Sequence, residues 1–217
     1  MTYKPKKSIH YKKSLLAYLD LIGFKEMVRE SVKSNEKADH IYKLLQVQHH
    51  TTQIINKGKP SPPGEISELK ATAFSDNIVL SLVGMTDEMF NSFVHVVAYF
   101  QWKSIDYYSF LRGAIVFGDN CQEGETVFGP ALIKAYEMER KVAMWPRVVV
   151  DPQLIRLLSA KNRRHVFNVI LSKGADGLPF VDFLRNIFLY NLGLGQEAPG
   201  TYETPVALPA TFVFRQH

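Results

Sequence analysis

The sequence predicts an α+β domain, an antiparallel sheet in ferredoxin-like order with helices packed on one face. Three observations predict it. Apolar runs of strand length, such as SLLAYLDL (14–21), NIVLSLV (77–83) and PRVVVD (146–151), are bounded by charge or turn residues. Longer segments, 36–56 and 86–105, carry apolar residues at helical spacing. The two kinds follow one another as β-α-α-β-β-α-β-α-β, the ferredoxin-like order with an embedded hairpin.

The elements are justified in turn. SLLAYLDL reads as a buried strand; GFKEMVRES (23–31) starts a helix, and 36–56 continues as a longer one. NKGKPSPPGE (56–65) is a loop by its Pro, Gly and Ser content. ELKATAFSD and NIVLSLV form two strands with Asp76 at their junction. A helix follows over 86–105, with Thr86 as its N-cap. SFLRGAIVFGD (109–119) is the next strand, NCQEGETVFG a β-arm or loop, and PALIKAYEMERKVA a helix with Pro130 in its first turn. PRVVVD is a further strand and PQLIRLLSA a short helix; HVFNVIL (165–171) and LPFVDFL (178–184) read as short strands.

The length of 217 residues suits one domain with a full core. Boundaries are expected at a basic N-terminal arm (1–13), a main domain (14–190) and a C-terminal extension (191–217). The formal charge of +5 owes much to five lysines in the arm, which reads as a solvated segment rather than a nucleic-acid or lipid contact. A single cysteine, Cys121, excludes an intrachain disulfide and a cysteine-rich zinc site. No run approaches the roughly 20 apolar residues that span a bilayer, and the N-terminus lacks a signal-peptide core, so a cytoplasmic protein is expected.

Two acids stand out. Asp20 interrupts LLAYLDLIGF (15–24) and Asp76 interrupts TAFSDNIVLS (72–81), each between apolar neighbours. In this strand order they converge at one end of the sheet. Paired carboxylates repel unless a cation lies between them, and magnesium or manganese suits such hard oxygen ligands while leaving positions for phosphate oxygens.

LDLIGF resembles the first metal motif of the class III nucleotidyl cyclases, and FSDNIVLS resembles their metal-binding hairpin. LRGAIVFGD (111–119) is similar to their Arg-x-Gly strand and VFGPALIKAYEMER (127–140) to the helix after it. The order matches across roughly residues 14–151. The resemblance implies a homodimer of ferredoxin-like domains, with two divalent metal ions (Mn2+ or Mg2+) binding a nucleoside triphosphate. Asp20 and Asp76 would hold the metals together with the carbonyl of Leu21. Gly23 and Phe24, at a helix start, would cradle the triphosphate.

The chain departs from adenylyl and guanylyl cyclases. Counted from Gly129, the places of their catalytic Asn and Arg hold Ile133 and Glu137. Their purine-reading Lys falls near Thr72 and their purine-reading Asp near Thr126. That combination is similar to the bacterial pyrimidine cyclases of the Pycsar antiphage system, which make cyclic UMP or cyclic CMP for a separate effector protein. UTP is the expected substrate before CTP. Arg112 is expected to act in catalysis and nucleotide binding, with Lys134 a weaker candidate. Thr72 is expected near the base, and Tyr136 or Tyr99 to stack on it.

Other residues read as structural. His49 and His50 point about 100° apart on a helix and belong on the surface. Glu139 and Arg140 are assigned to the outer face of their helix, Lys134 to solvent, and Gly113 to close packing. Two rival readings are a catalytically silent cyclase-fold module and an RNA-binding fold. The aliphatic strands LLAYL and IVLSLV count against the second, so no nucleic-acid or membrane partner is expected.

Overall fold

The computed structural model describes residues 10–57 and 69–185. Its strands are β1 (Lys12–Leu21), β2 (Lys70–Phe74), β3 (Asn77–Val83), β4 (Leu111–Glu123), β5 (Thr126–Phe128), β6 (Val148–Val150), β7 (Leu171–Lys173) and β8 (Pro179–Val181). Its helices are α1 (Phe24–Ser31), α2 (Asn35–Asn56), α3 (Asp87–Ile105), α4 (Pro130–Val142), α5 (Pro152–Leu157) and α6 (Ala160–Val169). The sheet runs β2-β3-β1-β4-β6-β8-β7, with β5 paired to β4. All pairings are antiparallel except β4 with β6.

Alternation along β1 divides the molecule. Leu15, Ala17, Leu19 and Leu21 join the main core with Leu44 of α2, Phe90, Phe93 and Val97 of α3, Leu154 of α5 and Val166 of α6. Leu16 instead packs with Val79, Val116 and the α4 residues Ala131 and Ala135, with Tyr18 alongside. Helices on one face, as expected, describes α1, α2, α3, α5 and α6; α4 covers the opposite face. The sequence pattern concealed this, because β1 is buried on both sides and reads as one apolar run.

Local chemistry sets the ends of several elements. Thr86 Oγ accepts from the Met89 amide at 3.2 Å, capping α3 as expected. Ser34 caps α2 through the Lys37 amide, and Pro130 opens α4. A Cβ on Gly113 would lie 2.2 Å from the Tyr18 carbonyl, so only glycine lets β4 approach β1 this closely.

The region after residue 160 differs from expectation. Residues 165–169 complete α6, whose start is capped by Ser159 accepting from the Asn162 amide. Asn162 and Val166, one turn apart, are its buried residues, and the strand starts only at Leu171. LPFVDFL does contain a strand, β8. Most of the basic arm, the loop from residue 58 and the extension 191–217 lie outside the described residues; Lys12 and Lys13 belong to β1.

Candidate functional site

The site lies on the α4 face, where three neighbouring strands align their residues. Asp20 of β1 stands opposite Asn77 of β3 on one side and opposite Arg112 of β4 on the other. Residues directly opposite in a ladder share a face, so these three side chains form a row. Asp76 joins through the two-residue turn between β2 and β3. Ser75 adopts φ 55°, the left-handed conformation that a tight hairpin turn requires. The Asp76 carbonyl then accepts from the Leu21 amide at 3.2 Å, fastening the hairpin tip to the end of β1 beside Asp20. The Asp76 carboxylate accepts from the Asn77 amide group at 3.0 Å, and Tyr18 Oη donates to Asn77 Oδ1.

Arg112 is the site's central cation. Its Nε donates to Asp20 Oδ2 at 3.0 Å, and its Nη2 lies 3.0 Å from the same oxygen. Nε is also 2.6 Å from Glu139 Oε1, on α4. Burial pushes the Asp20 carboxyl above the usual carboxylate range; Arg112 opposes the shift, and the charge and hydrogen bonding of Asp76 reinforce it. Burial likewise raises Glu139, against the pull of Arg112 and with the push of Asp20. Tyr18, two residues before Asp20 on the same face, is held protonated by burial and by the carboxylates around it. Two acids, Asp20 and Glu139, thus flank one half-buried arginine, and Asp76 lies beside Asp20.

The structure brings some of the expected residues together and separates others. Asp20, Asp76, Arg112 and Leu21 meet at this end of the sheet. Gly23, at φ 78°, is the N-cap of α1, and Phe24 is its first residue. Thr72 lies on β2, where the side-chain amide of Gln122 donates to its hydroxyl at 3.0 Å. Tyr136 stands edge-on to Tyr18, with ring centroids 5.5 Å apart, and Arg140 lies over its ring. Tyr99 belongs elsewhere: it sits on α3, across the sheet, against Trp102 and Phe100. Ile133 is 61% exposed, and Glu137 pairs with Lys141.

Two assignments made from sequence change. Glu139 is buried against the sheet instead of covering the outer face, because Ala131, Ala135 and Glu139 form the buried stripe of α4 at intervals of one turn. Lys134 is ion-paired with Asp151 rather than simply solvated. Arg112 is not among them: its ion pairs to Asp20 and Glu139 hold it at this end of the sheet. Sequence reasoning passed over Tyr18 and Asn77, which strand periodicity and hairpin register would have placed beside Asp20.

The residues present fit a hard divalent cation. Among the described residues no group of three or more His, Cys, Asp or Glu forms a metal-holding cluster, so a dedicated protein cage is absent there. What the chain offers is two neighbouring carboxylates, Asp20 and Asp76; burial raises Asp20, and the charge of Asp76 adds to it. One or two carboxylates completed by water and phosphate oxygens is how magnesium is commonly held.

No protein-family profile matches the chain, and no curated protein does. Among solved structures it is similar to a class III adenylyl cyclase-like ATP-binding protein from Pseudomonas aeruginosa, with a TM-score of 0.55 and 12% identity. The match covers 83% of this chain and 40% of that one. At that identity the likeness shows a class III cyclase-like fold.

Proposed function

We propose that this chain is a metal-dependent pyrimidine nucleotide cyclase, converting UTP, before CTP, to the 3′,5′-cyclic nucleotide and pyrophosphate. The observation that carries this reading is the convergence of Asp20 and Asp76 at the end of β1, beside Arg112, in a cyclase-like fold. Asp20, Asp76 and the Leu21 carbonyl would hold two Mg2+ or Mn2+ ions. Such ions, when bound, neutralise phosphate charge and lower the pKa of a coordinated hydroxyl.

The chain's own groups do the rest. Arg112 supplies a fixed positive charge toward the triphosphate, and the amides at the start of α1 face its phosphate oxygens. The 3′-oxygen forms the new bond to the α-phosphorus, the bond to the pyrophosphate oxygen breaks, and the 3′ proton leaves to solvent. Thr72, a small hydroxyl in place of a purine-reading lysine, favours a pyrimidine base, and Tyr136 offers a ring to pack against it. A homodimer is supported by apolar residues that one chain leaves uncovered on this side: Phe74 at 79% exposure, Ile133 at 61% and Tyr136 at 41%. The product would act as a second messenger for a separate effector in antiphage defence in the cytoplasm. Among the described residues no helix is long and apolar enough to cross a membrane.

The second reading is a catalytically silent nucleotide-binding module. Ile133 and Glu137 favour it, since neither replaces an Asn or Arg in stabilising developing charge. Incubating the protein with each labelled nucleoside triphosphate and Mn2+ separates the two. Turnover of a pyrimidine triphosphate to cyclic product is the expected result. Binding without pyrophosphate release assigns the silent module, and turnover of a purine alone rejects the base assignment. Sedimentation tests the assembly, since a fully active monomer overturns the dimer.

A further inference from the structure

We propose that Glu139 is a positioning residue, the second berth that keeps Arg112 in the site once a divalent cation takes Asp20. The inference rests on the metal-site reading above, and it starts from an asymmetry in how Arg112 is held. The arginine has two carboxylates within reach but directs its Nε–H to only one, Asp20. Glu139 Oε1 lies 2.6 Å from the same nitrogen, off the line of its N–H bond, and receives no hydrogen bond.

A buried carboxylate oxygen without a donor is costly and uncommon, so it calls for an explanation. The Glu139 side chain is 3% exposed, which excludes solvent as its regular partner. Its position is fixed by α4, whose Ala135 and Ala131 pack on the sheet one and two turns earlier. Arg140 also acts on Glu139 by charge, but its guanidinium lies over the exposed Tyr136 ring. Arg112 is therefore the cation within contact distance.

The chemistry follows from competition for Asp20. A divalent cation and a guanidinium repel, and both seek the same carboxylate. With no second acceptor, the arriving ion would drive Arg112 out toward solvent, since its side chain is already 35% exposed. With Glu139 beside it, a small rotation exchanges the Asp20 hydrogen bond for one to Glu139. The positive charge then stays on the site, facing the position a triphosphate would occupy, and the orphan oxygen gains its donor. Arg112 thus guards Asp20 in the metal-free protein and becomes an anchored ligand-facing cation afterwards.

The test follows the Arg112 Nε–H signal by 15N NMR on the full-length protein, assigned by its loss in Arg112→Lys. Asp20→Asn, without metal, asks whether Glu139 alone holds the guanidinium. The expected result is a signal still protected from exchange, and its disappearance would overturn the proposal. Glu139→Met and Glu139→Gln are then compared with wild type in Mg2+, after melting curves confirm that they fold. Wild type should keep a shifted but protected signal, while Glu139→Met exchanges at least about tenfold faster, the effect expected for losing a hydrogen bond to a charged group. Glu139→Gln should fall between them. Equal protection in wild type and Glu139→Met would also overturn the berth. If Mg2+ leaves the wild-type signal unmoved, the metal reading fails on its own, because the metal-free Asp20→Asn arm still decides whether Glu139 holds Arg112.

Discussion

On one face of the sheet, Leu15, Ala17, Leu19 and Leu21 meet α2, α3, α5 and α6 in a continuous apolar core. On the other, the alternate residues Leu16, Tyr18 and Asp20 face α4, and polarity rises toward the hairpin tip, where Asp20 and Glu139 flank Arg112 and Asp76 lies beside Asp20. The same strand serves both faces. The first is made by burying area, which is non-directional and tolerates exchange of one apolar side chain for another. The second is made by aligned polar groups in partial burial, where displacement of a single group leaves another unpaired. Under the proposed function, stability and chemistry fall on opposite sides of one sheet, and substitutions should divide accordingly.

The largest effect is expected on the polar face. Asp20→Asn and Asp76→Asn should each lower turnover by about a thousandfold or more, as expected when the groups that place catalytic charge are removed. Circular dichroism should show the fold retained. Loss of the fold in both variants would break the division between faces, and retained turnover would remove the metal assignment. Phe93, fully buried on the other side, should behave oppositely. Phe93→Ala should cost about 3–5 kcal/mol in urea unfolding, while turnover per folded molecule stays at the wild-type level. A selective loss of turnover there would show that the faces are coupled.

The difference also explains what the sequence made legible. Strands and helices up to β6 were readable because apolar runs and helical spacing are local signals, and the two aspartates stood out by interrupting such runs. The face of each helix was harder to read. Almost every turn of α3 is buried, so its pattern does not say which side Tyr99 occupies. Glu139 was assigned to the surface by its charge, although its spacing from Ala131 and Ala135 places it in the buried stripe. In α6 the polar run KNRRH hides a helix whose inward residues are Asn162 and Val166. In each case a tertiary partner decides the outcome, and one strand of sequence holds only half of that contact.

A smaller effect sharpens the comparison from the core side. Thr86→Ala removes the cap of α3 and should cost about 1 kcal/mol, measured as a shift in denaturation midpoint. Its hydroxyl is engaged by the Met89 amide, a group that does not titrate, so the offset should stay constant with pH. Turnover should not change.

Asp20 supplies the contrasting case. Its folded-state pKa is raised, chiefly by burial, so the folded protein binds the proton more tightly than the unfolded chain does. The stability this contributes is full below the ordinary carboxylate pKa and is lost as pH rises through the raised value. Glu139 acts with the same sign. In the metal-free protein, Asp20→Asn should therefore melt above wild type at neutral pH, and the two should converge as the solution is made acidic. A gap that widens toward acid would mean that Arg112 outweighs burial at Asp20, reversing the sign. Saturating Mg2+ should close the neutral-pH gap by stabilising wild type alone, since the cation relieves the carboxylate repulsion that the variant lacks. A pH-dependent gap at Asp20 beside a constant one at Thr86 would separate the two faces by their electrostatics, independently of any assay of turnover.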